Sequence, residues 1–479
     1  MIRIYMFVAV LLGTVAIACA QQTIFSAPTT DVLNKGKINV APAAKVGSNR
    51  VGNSESSLDS PESVSEPSNS FRVDQTSITE NATDLEKDKR VGFRFVLRHG
   101  QTFDLGKSLL DGTAIQDEPS REQQTADSKP QWQYGGFADL AYLLDFNHPA
   151  NHLFRSRGTA FHSDNVFLNM AGFYVRKKAT EESRWGVELT AHAGKDDEVF
   201  GFSATAPNIA GFKFLRHLGP TNVSYLAPVG KGLTLQAGIF GSLIGYDSLY
   251  AKDNFNYTRP WGADFTPYLM MGANASYPFS EKLTGTVFVV NGYWHLARAN
   301  NVPSSGGQIA YKLTPRVTLK ETVLFGPHQR NTAFKFWRSL TDTIVERKTD
   351  RVTFALEYIY STERVDAAEN SRALMMSAQL PLRWTLNKRW AVAVRPEAFW
   401  DRDGRWTLAK QTVKAFTTTI EYRLPHKWTN TIFRLEHRVD DSRGPEGGFF
   451  RGSEVSPDVI GLTPTRHQLI FATIFTFDR

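Results

Sequence analysis

The sequence predicts an all-β fold: a transmembrane, antiparallel, up-and-down β-barrel of about 16 strands (roughly 14 to 18) over residues 134–479. Three observations predict it. Apolar residues recur at every second position in segment after segment. The segments bracket the roughly 9–11 residues that a tilted strand needs to cross a bilayer. The connections between them alternate short and long, as where tight turns close one rim of a barrel and long loops the other.

The first strands show the alternation plainly. Leu140, Tyr142, Leu144 and Phe146 share a face opposite Asp139 and Asp145. Trp185, Val187, Leu189, Ala191 and Ala193 oppose Arg184, Glu188, Thr190 and His192. In Leu233–Leu243 the apolar face is Leu233, Leu235, Ala237, Ile239 and Leu243, predicted to meet lipid, while Thr234, Gln236 and Ser242 face water. Segment 335–346 is the weakest, because Arg338 and Asp342 share a face with Phe336 and Leu340. Leu374–Leu386, Trp390–Trp400 and His467–Phe477 resume the pattern. Short connections fall at 228–232, 278–281, 314–315, 387–388 and 425–429, and long ones at 195–220, 245–265, 293–305, 401–411 and 441–465. Tyr174, Trp185, Trp384, Trp390, Trp400, Tyr422 and Trp428 lie near strand ends, as an interfacial girdle requires. A soluble β-sandwich also alternates, but it does not give the short–long rhythm.

Composition permits this class and excludes others. With 41% hydrophobic residues and a mean hydropathy of −0.31, the chain holds no bundle of membrane helices. A barrel escapes that index, because only every second strand residue need be apolar. The net charge of +7 is spread along the chain, without the basic stripe a nucleic-acid binder needs. Cys19 is the single cysteine, so a mature chain starting after it has neither a disulfide nor a cysteine metal site.

Ahead of the barrel, residues 1–20 read as a signal peptide cleaved after Ala20, with lipidation at Cys19 as the alternative. Residues 21–90 are rich in Ser, Asn, Pro, Asp and Glu and are expected to be a disordered leader. Residues 91–133 form a pre-barrel segment whose structure the sequence leaves open. It contains Arg98-His99-Gly100, a string similar to the start of a histidine phosphatase active site. The alternating strands and helices of that fold do not follow it.

Sixteen strands enclose an aqueous channel, lined by the polar face. Its richest charged set is Arg395, Glu397, Glu421, Arg423, Arg434, Glu436 and Arg438, on three neighbouring strands. In simple register Glu421 meets Arg434 and Glu397 meets Arg438, which lets opposite charges offset their desolvation. Two roles stay open: a belt that selects solutes, or a ladder that stiffens the wall. The loop 245–260, with Tyr246, Asp247, Asn254, Tyr257 and Arg259, either folds inward as a constriction or stays outside as a lid. No cluster has metal-site spacing, and no cofactor or metal is expected.

The segments GLTLQAGIFGSLIGYDSLYAKDNFNYTRP, GGFADLAYLLDFN, RWGVELTAHAGKD, RPEAFWDRDG and RLEHRVDD together resemble the OmpL-like β-barrel porins over residues 134–479. The resemblance implies an outer-membrane barrel, passive diffusion of small hydrophilic solutes or ions, and no catalytic residues. Two positions depart from the family pattern. Asp247 stands where Glu is expected after Gly-Tyr, and the last aromatic, Phe477, lies two residues inboard of the end. Expected partners are outer-membrane lipid and diffusing solutes, with a homotrimer left open and no nucleic acid. The alternative functions are a surface-binding barrel with a plugged lumen and an exported phosphatase using His99.

Overall fold

Sixteen antiparallel strands close on themselves in the computed structural model of the chain, which describes residues 132–197, 212–293, 296–329, 332–366, 371–456 and 459–479. The strands are β1 (Trp132–Asp145), β2 (Val166–Lys177), β3 (Trp185–Ala193), β4 (Leu218–Ala227), β5 (Leu233–Gly241), β6 (Leu269–Pro278), β7 (Leu283–Val290) and β8 (Ser304–Thr314). They continue with β9 (Val317–Pro327), β10 (Trp337–Lys348), β11 (Val352–Arg364), β12 (Arg372–Gln379 and Leu382–Thr385), β13 (Trp390–Asp401), β14 (Gln411–Pro425), β15 (Thr429–Arg443) and β16 (Thr465–Asp478). Each pairs with its neighbour in sequence, and β1 closes on β16 from Gly135↔Asp478 to Asp145↔Gln468. Closure leaves no unpaired edge, which is what makes a sheet tolerable in hydrocarbon. Pro381 interrupts β12, since proline cannot donate to the ladder.

The expected strand count, alternation and rhythm of connections are all present. β10 replaces segment 335–346 with boundaries two residues further on. Its inward face carries Arg338 and Asp342, both buried and both hydrogen-bonded, which accounts for its irregular appearance in sequence. A hairpin, Phe449–Ser456 with Val459–Thr463, stands inside the last long connection and was not anticipated. The signal peptide, the leader and Arg98-His99-Gly100 lie outside the described residues. Among the described residues no helix is long and apolar enough to cross a membrane, which says nothing of a barrel.

Most outward side chains are apolar, many of them exposed, and Trp185, Trp384, Trp390, Trp400 and Trp428 stand among them near strand ends. Tyr174 corrects the expected girdle. It is buried on the inward parity of β2, against Gly135 of β1. Two residues of the expected lipid face also differ. Leu235 is 41% exposed, but Ile239 is only 2% exposed and joins a cluster with Leu249, Leu269 and Leu296. Gly238, at φ +123°, turns the backbone just before it, and a Cβ there would strike the Thr221 carbonyl. The strand ends at Gly241, and Leu243 packs on the interior cluster.

The interior is layered. Towards the long-loop rim it is apolar: Phe154, Phe161, Phe240, Trp261, Phe265, Phe288, Tyr293, Phe399, Trp406 and Phe449 form one cluster. Nearer the short turns it is polar on β3 to β6, while Ile432 and Ile474 pack together on β15 and β16. Glu188, Asn222, Gln236 and Asn274 form a ladder of side-chain hydrogen bonds across β3 to β6, with Gln236 donating to Asn222 at 2.8 Å and Asn274 to Gln236 at 2.9 Å.

Candidate functional site: a loop bound across the lumen

The connection between β5 and β6, residues 242–268, folds into the barrel and runs across it. Its sequence is polar and aromatic, with few residues that commit to helix or strand, so its backbone groups need partners from the wall. The wall supplies them in order. The Leu243 carbonyl accepts hydrogen bonds from Gln308 of β8 (2.7 Å) and Thr322 of β9 (2.9 Å). Gly245 N–H donates to Asp342 of β10 at 2.7 Å, and Tyr246 N–H to Glu357 of β11 at 2.7 Å. The Tyr246 hydroxyl donates to Glu346 of β10 at 2.9 Å. Asp247 accepts from Gln379 of β12 at 2.7 Å. Burial raises the Asp247 carboxyl above its ordinary pKa, with Arg395 3.9 Å away opposing the shift.

A tight turn follows. Asn254 bonds Ser248 in both directions, accepting from its N–H at 2.7 Å and donating to its carbonyl at 2.8 Å. Arg434 of β15 then holds three carbonyls of the turn: Ala251 (2.7 Å), Asn254 (2.6 Å) and Asn256 (3.4 Å). Its remaining edge pairs with Glu421 of β14 at 2.8 Å. A planar fork with five donors suits this task, and an ammonium group does not.

Glu436 carries the most concentrated set of bonds. One carboxylate oxygen accepts from Tyr257 N–H (2.5 Å) and the Thr419 hydroxyl (2.6 Å), the other from Thr258 N–H (2.9 Å) and its hydroxyl (2.5 Å). Arg395 donates to the Thr258 carbonyl at 2.6 Å. Arg438 donates to the Arg259 carbonyl at 3.0 Å and pairs with Glu397 at 2.9 Å and Asp440 at 2.8 Å. Glu397 also accepts from Trp261 N–H at 2.5 Å, at the start of a short helix, α1 (Trp261–Asp264). The Trp261 indole donates to Asp440 at 2.8 Å, and its ring lies among Phe154, Phe265, Phe399 and Phe449.

Other loops clasp the same strand of chain. Arg259 is fully buried, donates to the Leu249 carbonyl and lies 3.7 Å from Asp196 in the connection after β3. Burial raises the Asp196 carboxyl to about 7, with Arg259 opposing. From the connection after β1, Arg157 donates to the Arg259 carbonyl at 2.6 Å and pairs with Asp264 at 3.0 Å.

The residues singled out from sequence therefore meet in one place. The register pairs Glu421 with Arg434 directly, and Glu397 reaches Arg438 across an intervening strand. Arg395, Arg434 and Arg438 have no side-chain exposure, because the loop covers them. Arg423 is the exception, with 24% of its side chain exposed beside Glu421. The sequence reading missed Asp342, Glu357, Gln379, Arg157, Asp196 and Trp261. For the first three the signal was present as polar residues on the inward parity of β10 to β12. For the others only three-dimensional placement reveals the role. Among the described residues no group of acidic, His or Cys side chains is arranged to hold a metal ion.

A closed sixteen-stranded barrel with an apolar exterior, a polar interior and a loop bound across the lumen is an outer-membrane channel of the porin class. Residues 131–477 match the family described as "Putative beta-barrel porin-2, OmpL-like", and the chain belongs to that family. It is a porin of the bacterial outer membrane, a passive diffusion channel for small hydrophilic solutes. Solved structures similar to it include the outer membrane channel DcaP of Acinetobacter baumannii, at 10% identity and a TM-score of 0.46 over 72% of this chain and 96% of that one. An anion-selective porin from Comamonas acidovorans is 9% identical, with a TM-score of 0.46 over 73% and 100% of the two chains. Salmonella typhi OmpF, in complex with daunomycin, is 11% identical, with a TM-score of 0.46 over 73% and 98%. No curated protein matches the chain.

Proposed function

We propose that solutes pass between the inward loop and the wall, and that the passage favours anions. The carrying observation is which inward charges keep contact with water. Arg383 and Arg423 are 21% and 24% exposed in their side chains, and Lys312 of β8 is exposed. Arg176, Lys320 and Lys348 are half-buried on the same inward parity. Against them stand Glu188, which belongs to the polar ladder, Glu346, which accepts the Tyr246 hydroxyl, and Asp478, exposed on the inward parity of β16 at the short-turn rim. Glu421 is covered by Arg383, Arg423 and Arg434. A lumen with this balance raises the local concentration of anions.

On this reading the charges of β13 to β15 split into two jobs. Arg395, Glu397, Arg434, Glu436 and Arg438 fix the loop that narrows the channel, with Tyr246, Asp247, Asn254, Tyr257 and Arg259 as its bound residues. Arg423, with Arg383, faces the solute. The chain works without catalysis and without a cofactor, reaches the membrane through its N-terminal signal segment, and assembles as a homo-oligomer, a trimer being the expected form.

The test is a planar bilayer with a salt gradient. Wild-type protein should give stepwise conductance and a reversal potential on the anion side. Replacing both Arg383 and Arg423 by Ala should move that potential toward cations. Folded, heat-modifiable protein without conductance would end the channel reading, and an unmoved potential would end the anion reading.

A further inference from the structure

We propose that a hollow on the outer face of the short-turn rim, where β1, β15 and β16 meet, is a binding site for a single anionic phospholipid. The proposal rests on the outer-membrane reading above but not on the conduction of solutes.

The hollow arises at the seam that closes the barrel. At the rim Tyr134 and Arg479 exchange backbone hydrogen bonds, each 2.9 Å long. Phe477 of β16 faces outward between Gly136 of β1 and Thr429 of β15, its two register partners. Gly136 has no side chain to hold the phenyl ring off, and a Cβ there would lie 2.6 Å from it. The ring therefore leans over β1 toward Phe173 of β2, with 6.0 Å between centroids. On its other side the short Thr429 leaves space unfilled. The result is a cavity of about 310 Å³ bounded by Tyr134, Trp428, Thr429, Phe477, Asp478 and Arg479. That matches the lower end of small-molecule sites, roughly 300–1,000 Å³.

Charge and depth say what fills it. The Arg479 guanidinium lies 4.8 Å from the centre of the Trp428 ring, and the Lys427 ammonium 5.3 Å from the same ring. The two cations are thus at most about 10 Å apart. They repel one another, and an anion between them turns that repulsion into attraction. Asp478 borders the hollow from the inward parity of β16, so the outward rim presents the cations. Short turns of such barrels face the periplasm, and aromatic side chains at their level meet lipid headgroups. Basic side chains at that level attract anionic headgroups. Toward the middle of the membrane Phe475 and Phe433, 48% and 42% exposed, continue the apolar surface. A headgroup phosphate at Lys427 and Arg479 therefore sets its acyl chains against that wall. A free phosphate would satisfy the cations and leave the rings of Tyr134 and Phe477 uncovered, whereas a lipid covers both.

Native mass spectrometry of the full chain, extracted from membranes into neutral detergent, tests this with dioctanoyl phosphatidylglycerol and dioctanoyl phosphatidylcholine. The wild type should retain one phosphatidylglycerol per chain and lose phosphatidylcholine. Lys427→Ala combined with Arg479→Ala should weaken retention by about tenfold or more. Thr429→Trp keeps both cations but fills the hollow, and should weaken it comparably. Lys231→Ala, on a short turn outside the hollow, should change nothing. Equal retention of the two lipids overturns the proposal, and so does unchanged retention in Thr429→Trp, which would mean attraction to surface charge alone. In living cells p-benzoylphenylalanine at position 428 should crosslink to phospholipid on irradiation. A crosslink to the acidic stretch ahead of β1, which holds Asp111, Asp117, Glu118, Glu122 and Asp127, would make the chain itself the occupant and overturn the proposal. A chain that does not fractionate with the outer membrane ends the outer-membrane reading. Lost retention in barrels that do fractionate there ends this proposal alone.

Discussion

Glu436 accepts four hydrogen bonds from groups that no water reaches, and its removal isolates the role of the loop. In Glu436→Ala the hydroxyls of Thr258 and Thr419 can rotate, but the backbone N–H groups of Tyr257 and Thr258 lose their acceptor. A buried donor left unmade costs about 1–3 kcal/mol, so the two together weaken the docking of the loop by about 2–6 kcal/mol. At roughly tenfold per 1.4 kcal/mol, even the lower figure raises the undocked population about thirtyfold. The barrel itself should survive, because its strand ladders do not pass through this carboxylate. The expected result is a folded, heat-modifiable channel with larger or flickering conductance and faster proteolytic cleavage between residues 245 and 260. Glu436→Gln keeps one acceptor oxygen and points an amide N–H₂ at donors, so it should fall between the two. If Glu436→Ala folds and conducts as wild type does, with the loop equally protected, the loop does not set the width of the channel.

Trp261→Ala should lower the temperature of barrel unfolding on unheated gels, by a loss of about 3–5 kcal/mol typical of a buried Trp in a packed core. Gly272→Val should prevent assembly, because a Cβ there runs into the Val289 carbonyl and the Val290 Cα across the β6–β7 ladder; recovery of normal yields from the outer membrane would contradict this. Asp196 gives a pH dependence of definite sign. Its carboxyl rises from 3.8 to about 7 when docked, so the docked loops bind the proton more tightly; docking is strongest below the lower value and weakens as pH rises through the upper one. Conductance noise should therefore grow between pH 5 and pH 8, and Asp196→Asn should flatten that growth.

Much of the architecture was legible because lipid and water impose opposite demands on alternate residues of each strand. That demand is local, so Trp185–Ala193 or Trp390–Asp401 reveal it within a dozen residues. It failed where a local rule was overruled. Ile239 keeps the parity of the lipid face, yet a left-handed glycine beside it and loop residues from afar bury it. Tyr174 carries the chemistry of an interfacial residue, yet a register irregularity at Asn169 lies just before its run of the inward face of β2. The pairing of Glu421 with Arg434 followed from strand adjacency alone.

The sequence by itself determined the barrel, its polar interior and the set of charges within it, since periodicity and residue type are properties of the chain. The tertiary structure decided what those charges do. Arg434, Glu436 and Arg438 could have faced water as a selective belt. They bind the loop, because residues 245–260 carry backbone groups that must find partners once out of solvent, and these side chains are the partners within reach. Whether a charge faces solute or another part of the chain depends on a contact about 180 residues distant, which no local pattern encodes.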